Sequence, residues 1–299
     1  MTTIQTQGQF FTIKRLFMPL LARPGVVQTI KYIVYISLLV NFVIYVRDDY
    51  LAWQSSLAPG APLGQIFSTF STSIDTAAWM GLIFLFELET YALSDSAFTR
   101  WLVNLMRAAK AICFIGVLYA AYGYTTEALE NYRTREMPEI TNACQMADQG
   151  VAMQMDSIAY EDITTANCKS ISNDSQFYLI HTDISIIDKT KLAHVQKMGW
   201  VDICNSFVWI FVVLLIEIEI WMQNKDRFGS KILERVRQFK TFLYLVLIIN
   251  AIIWSSTGYF IYSWDAFLWI FGFWVIELNL AEWERDRLQE IGGSAVEAV

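Results

Sequence analysis

Apolar positions along the chain fall into runs of near membrane length rather than short alternating or amphipathic segments. Six such runs stand out, at about 31–46, 74–94, 108–126, 200–222, 240–262 and 264–281. A hydrocarbon core ~30 Å thick is crossed by about 20 apolar residues in a helix, so each run reads as a transmembrane helix. The one long polar interruption, 127–199, has poor hydrophobic periodicity apart from a β-like stretch from Phe177 to Ile187. The pattern predicts an all-α polytopic membrane protein with six transmembrane helices. A small exported domain, α+β or irregular, is expected between spans three and four.

The polar positions inside the apolar runs repeat. Asp75, Trp79, Glu87 and Glu89 share their spacing with Asn205, Trp209, Glu217 and Glu219, and with Asp265, Trp269, Glu277 and Asn279. A second pattern precedes each copy: Lys31, Tyr35 and Asn41; Lys110, Phe114 and Ala120; Lys240, Tyr244 and Asn250. Repeats of this kind define the architectural unit, and the unit here is a two-helix hairpin used three times. Asp75, Asn205 and Asp265 fall where the apolar runs begin, which predicts short polar side chains capping helix N-termini. The tryptophans, one turn inside, read as interfacial anchors or packing residues.

The expected organisation is an interfacial or cytoplasmic N-terminal helix over 1–30, spans one to three over 31–126, and an exported acidic domain over 127–199. Spans four to six over 200–282 and a cytoplasmic tail over 283–299 complete it. Residues 8–22 mix apolar side chains with Lys14 and Arg15, the signature of a helix lying at the membrane surface. Lys and Arg concentrate before span one, after spans two and four, and after span six. That asymmetry predicts cytoplasmic termini in a multi-pass inner or plasma membrane protein.

Composition strengthens the membrane reading. Hydrophobic residues make up 55% of the 299 and charged residues 17%, below the ~25% charged of soluble domains. The net charge of −7 excludes the basic footprint of a nucleic-acid binder. The segment 127–199 holds eleven Asp and Glu against six Lys and Arg. It also holds Cys144 and Cys168, which an exported position predicts to be disulfide-bonded. Cys113 and Cys204 lie in apolar runs and read as packing residues.

Candidate chemistry rests on the repeated carboxylates. Glu87, Glu217 and Glu277 stand at matching depth, about twelve residues or ~18 Å of helix from the start of each pattern. Ionisable groups at such depth face protein or water and mark function by default. One expectation is a cation channel or transporter in which these three, with Asn41 and Asn250, line an ion pathway. The alternative is a structural or assembly subunit in which Lys31, Lys110 and Lys240 pair with the glutamates and hold the hairpins. Either reading takes the lipid bilayer as partner, with further copies or other membrane subunits, and cations in the first. Of each Glu pair the first is expected to face the neighbouring helix and the second a subunit or headgroup. No span contains histidine, no nucleotide-binding or hydrolase motif appears, and His181 and His194 read as ordinary surface residues. No enzyme activity, cofactor, metal site or nucleic-acid partner is expected.

Overall fold

The computed structural model describes residues 24–56, 63–88, 99–157, 159–180, 185–223 and 231–273. The chain is mostly helical with one small sheet. In order the helices are α1 (Pro24–Ser56), α2 (Leu63–Thr69), α3 (Ser71–Glu87) and α4 (Arg100–Glu130), followed by α5 (Lys189–Gln223), α6 (Lys231–Ser256) and α7 (Phe260–Phe273). Among the described residues four stretches are long and apolar enough to cross a membrane: Gln28–Gln54, Arg100–Glu130, Lys189–Glu219 and Lys231–Ser256. The helices of the second and sixth apolar runs, α3 and α7, are shorter within the described residues.

The chain divides into two units, Met1–Asn41 with Tyr259–Val299, and Phe42–Gly258. In the first, α1 and α7 run antiparallel. Asn41 donates from Nδ2 to Asp265 Oδ1 at 2.7 Å, and Val34 lies against Gly272. Proline opens α1 because its missing N–H is one a first helical turn leaves unbonded in any case.

In the second unit α3 packs antiparallel on α4 at very close range. Cβ atoms are nearly absent from the seam: Gly123 sits over Ser71, and Gly116 over Ala78. Small residues let membrane helices approach closely where no hydrophobic driving force separates them from lipid. A Cβ added at Gly123 would stand 1.9 Å from Ser71 Oγ, so any larger side chain there forces the helices apart. Further pairings join α4 to α5, through Gln196 Nε2 to the Asn131 carbonyl at 2.8 Å, and α5 to α6. The repeat places α3 and α4, and α5 and α6, in different hairpins, so these contacts run between helices in chain order rather than inside the expected units alone. Gly258, with φ of 96°, takes the left-handed conformation that ends α6.

The polar insertion folds into a five-stranded sheet: β1 (Arg135–Glu136), β2 (Ala152–Gln154), β3 (Tyr160–Asp162), β4 (Phe177–Ile180) and β5 (Ser185–Asp188). The strand order is β1-β4-β5-β2-β3. Only β5 and β2 are parallel. One face carries Met153, Phe177 and Ile186, packed with Ile140, Ile163, Ile171 and the Cys144–Cys168 disulfide, whose Cα atoms are 4.8 Å apart. The other face carries Ile180 and Ile187, packed on Leu192 and Val195 of α5. The expected disulfide is therefore present, and Cys113 and Cys204 are free thiols.

The sheet passes directly into α5. Asp188 caps the helix, accepting from Lys191 N at 2.8 Å and from Ser172 Oγ at 2.7 Å, and it also pairs with the Lys191 ammonium. Asp174 accepts from Thr190 N and Oγ1 at 2.9 and 2.7 Å. Two carboxylates thus meet the unbonded N–H groups and positive dipole of one helix end. These bonds hold the Asp174 carboxyl below its usual range. At 35 residues, or ~52 Å, α5 is longer than a bilayer core is thick. Its first turns belong to the cap, so the helix begins at Lys189 rather than at the start of the apolar run near 200.

The capping role expected for Asp75, Asn205 and Asp265 is not what they do. Asp75 is inside α3, Asn205 lies in the middle of α5, and Asp265 is inside α7. The apolar runs begin about three to eleven residues after the helices do, because polar turns at a membrane surface are still helical.

Candidate functional site

The polar side chains of the second unit gather at two levels of the α5–α6 seam, one near the cap and one at the far end. Along α5 the buried stripe Val208, Val212, Ile216 and Glu219 follows helical spacing. Its last member brings a carboxylate into the seam. Glu219 is 4% exposed and faces Lys240, equally buried. Lys240 Nζ donates to Glu219 Oε2 at 2.5 Å and Arg237 Nε to Oε1 at 2.7 Å. The two cations lie three residues apart on α6, one turn, so both reach a single carboxylate.

Glu217, the pathway candidate, is exposed instead. The expectation that the first glutamate of each pair faces the neighbouring helix therefore does not describe α5: the second one does. Two residues turn a helix by ~200°, so only one of the pair shares a side with Val212. The Glu87 side chain and Glu277 lie outside the described residues. Lys31 and Lys110 are partly buried, and each has an interaction partner.

Between the two levels the seam is aromatic and aliphatic. Trp209 lies 6.2 Å from Trp79 and 6.4 Å from Tyr244, ring centre to ring centre. Val212, Leu243 and Leu247 are fully or almost fully buried. Trp79, Trp209 and Trp269 are buried too, which makes them packing residues rather than exposed anchors.

The level near the cap is rich in acids. On α1 Asp49 is buried and accepts from Ser73 N and Oγ at 2.9 and 2.6 Å. On α3 Asp75 accepts from Tyr124 Oη at 3.4 Å. On α5 Asp202 accepts from Trp254 Nε1 at 3.1 Å. Glu127, at the cap end of α4, lies within electrostatic reach of Asp202, Asp49 and Glu130. One turn deeper, Asn205 Oδ1 and Asn250 Nδ2 are buried without a hydrogen-bond partner. Asn41 and Asn250, the two equivalent asparagines of the repeat, thus differ: one binds Asp265 and the other has a bare amide nitrogen. From the cap, Tyr160 approaches Glu127; burial first, then Glu127 and Asp156, push its phenol above the usual range.

Sequence reasoning passed over Glu219 as an inward group and gave no site role to Asp49, Glu127 or Asp202. A signal existed for the last three. They are acids within a few residues of where apolar runs meet polar sequence on the cap side, and they come together because those helix ends do. Among the described residues no group of three or more His, Cys, Asp and Glu side chains is placed to hold a metal ion.

Comparison of the chain with protein-family models, with curated proteins and with solved structures gives no match.

Proposed function

We propose that this is a multi-pass membrane protein serving as a structural or assembly subunit, with intramembrane ion pairs holding its helices and the cap offered to partners on one side. The observation that carries this reading is the fate of the paired glutamates on α5. Glu219 is neutralised inside the protein by Lys240 and Arg237, and a carboxylate held by two cations is poorly suited to pass a third. Glu217 is exposed beside Leu214, Ile218 and Trp221, large apolar side chains that are themselves exposed. A carboxylate on an apolar surface is expensive in lipid and calls for a basic neighbour or headgroup, as a subunit contact supplies.

In the proposed arrangement six helices cross the membrane, one in each of the six apolar runs of the sequence. Both termini are cytoplasmic and the cap is exported, in line with the Lys and Arg asymmetry. Ion permeation through Glu87, Glu217 and Glu277 is the competing function, and flux separates the two. Purified protein in sealed vesicles is expected to conduct neither sodium, potassium nor protons under an imposed gradient or voltage. Crosslinking through a photoreactive group at Glu217 is expected to capture a second membrane chain. Cation flux in wild-type vesicles that is lost in Glu217→Gln would replace this reading with permeation.

A further inference from the structure

One side of α5 is a stripe of exposed apolar side chains with a tryptophan at each end. Trp200, Phe207, Phe211, Leu214, Ile218 and Trp221 are all exposed. Steps of seven, four or three residues keep them on one side of the helix, away from the buried Val208, Val212 and Ile216. Trp200 and Trp221 are 21 residues apart, ~32 Å of helix, against ~30 Å for a hydrocarbon core.

The neighbouring helices change character at the same two levels. α4 ends at Glu130 and α6 at Ser256, and contacts bring both ends level with the start of the stripe. Gln196 reaches the Asn131 carbonyl, and Thr257 Oγ1 donates to Met198 Sδ at 3.6 Å. At the other level Glu219 meets Arg237 and Lys240, and the turns of α6 that precede them hold Lys231, Glu234 and Arg235. Polar sequence thus sets in near both tryptophans on the neighbouring helices as well.

Trp200 is also tied in place. Its Nε1 donates to Tyr132 Oη at 3.0 Å, although both side chains are 53% exposed. Indole and phenol rings, apolar with one polar atom, collect where hydrocarbon meets headgroups. The bond joins the segment just past α4 to α5, and the phenol keeps its own O–H to donate.

We infer that α5 crosses the bilayer from Trp200 to Trp221, with the exposed stripe against lipid and the Tyr132–Trp200 pair among the headgroups at the foot of the cap, where the phenol donates to an ester or phosphate oxygen of a phospholipid. This rests on the membrane reading proposed above and adds the depth and the lipid contact. Glu217, one residue before Ile218 and so ~100° around the helix, flanks the stripe, and the subunit contact proposed for it stays clear of the lipid side. Lys189–Gly199, eleven residues or ~16 Å of helix, stand outside the bilayer and carry the cap sheet on Leu192 and Val195.

The test uses the full chain in phosphatidylcholine vesicles doped with one of two photoreactive lipids, bearing a diazirine in the headgroup or at the end of an acyl chain. Mass spectrometry locates the labelled residues. At Tyr132, Trp200 and Trp221 the headgroup label is expected to exceed the tail label several-fold, and at Phe207, Phe211 and Leu214 the ratio is expected to reverse. Trp200→Leu is expected to lower headgroup labelling of Tyr132 several-fold while tail labelling of Phe211 stays as it was, which also reports that the helix still spans. Tail label dominant at Trp200, or headgroup label as strong at Phe211 as at Trp200, overturns the inference and leaves the membrane reading in place. Label from neither lipid anywhere on α5 overturns both. Headgroup labelling of Tyr132 that Trp200→Leu does not change overturns the role given to the bonded pair.

Discussion

Replacing Glu219 by Gln strips the α5–α6 seam of its buried carboxylate while keeping its shape. Arg237 tolerates the loss, because its side chain is 42% exposed and its guanidinium can turn outward. Lys240 cannot do so easily. It is buried and lies nine residues inside α6 from Lys231, ~14 Å of helix, more than a lysine stem spans by snorkelling. The substitution therefore leaves an ammonium among apolar side chains. Breaking a buried pair from one side costs ~3–5 kcal/mol, whereas removing both charges in favour of apolar groups is neutral or stabilising. We expect about 3 kcal/mol of destabilisation for Glu219→Gln and a similar loss for Lys240→Met. The double variant Glu219→Gln with Lys240→Met is expected to lose less than the sum of the two single changes. Unfolding in mixed micelles, followed by tryptophan fluorescence, gives the three values and their coupling. Single losses below about 1 kcal/mol, the level of exposed pairs, would refute the reasoning. So would additivity within about 0.5 kcal/mol, the behaviour of groups that do not interact.

Two further outcomes concern the cap. The disulfide closes a loop with a sequence separation of 24, so replacing Cys144 and Cys168 by Ser is expected to cost about 3 kcal/mol of cap stability on loop entropy. Limited proteolysis with and without reductant checks this, and equal cleavage rates would count against it. Asp174 has its carboxyl held low by Thr190. A carboxyl whose folded pKa is depressed stabilises the fold above its unfolded pKa and ceases to do so as pH falls through the folded one. The cap–α5 junction is thus expected to weaken below the ordinary value of 3.8, and Asp174→Asn to flatten that dependence in hydrogen exchange at the start of α5. An unchanged acid profile in the variant would assign the transition to other groups.

What the sequence made legible follows from signal length. Four helices of membrane character were readable because each carries an apolar run many turns long, and the disulfide because its two cysteines sit in the one long polar segment. The cap sheet was visible only as Phe177 to Ile187, since its strands are two to four residues long, too short for alternation to declare itself. The choice between Glu217 and Glu219 was unreadable for a different reason. A helix that is apolar on every side offers no contrast between a polar and an apolar face, so its sequence does not say which side is buried. On α5, Phe207, Phe211, Leu214 and Ile218 are exposed while Val208 and Val212 are buried, and all six are equally apolar. Repetition among three copies pointed to Glu217; packing chose Glu219. The acids of the cap-side level were missed because they converge from α1, α4 and α5, and convergence of helix ends is a tertiary fact.

The polar groups near the two ends of α5 are compensated in different ways. At the far end one carboxylate meets two cations, because α6 carries Arg237 and Lys240 on a single turn and Arg237 retains access to solvent. At the cap end the acids Asp49, Glu127 and Asp202 come from three helices, and Arg47 at that end of α1 pairs with Asp48. The far end is therefore balanced by the chain's own cations and needs nothing from outside. The cap end is balanced only in part, by Ser73 and the Trp254 indole, whose N–H and O–H groups offset a charge without cancelling it. Glu127 and Asp202 are only half-buried, so water completes what those groups leave open. Because α5 is one unbroken helix from the cap to Glu219, Asp202 at the cap end sits on the same element that the far pair joins to α6. The two ends of α5 are thus held by opposite means, Asp174 and Asp188 of the cap at its first turn and the Arg237 and Lys240 cations of α6 near its last.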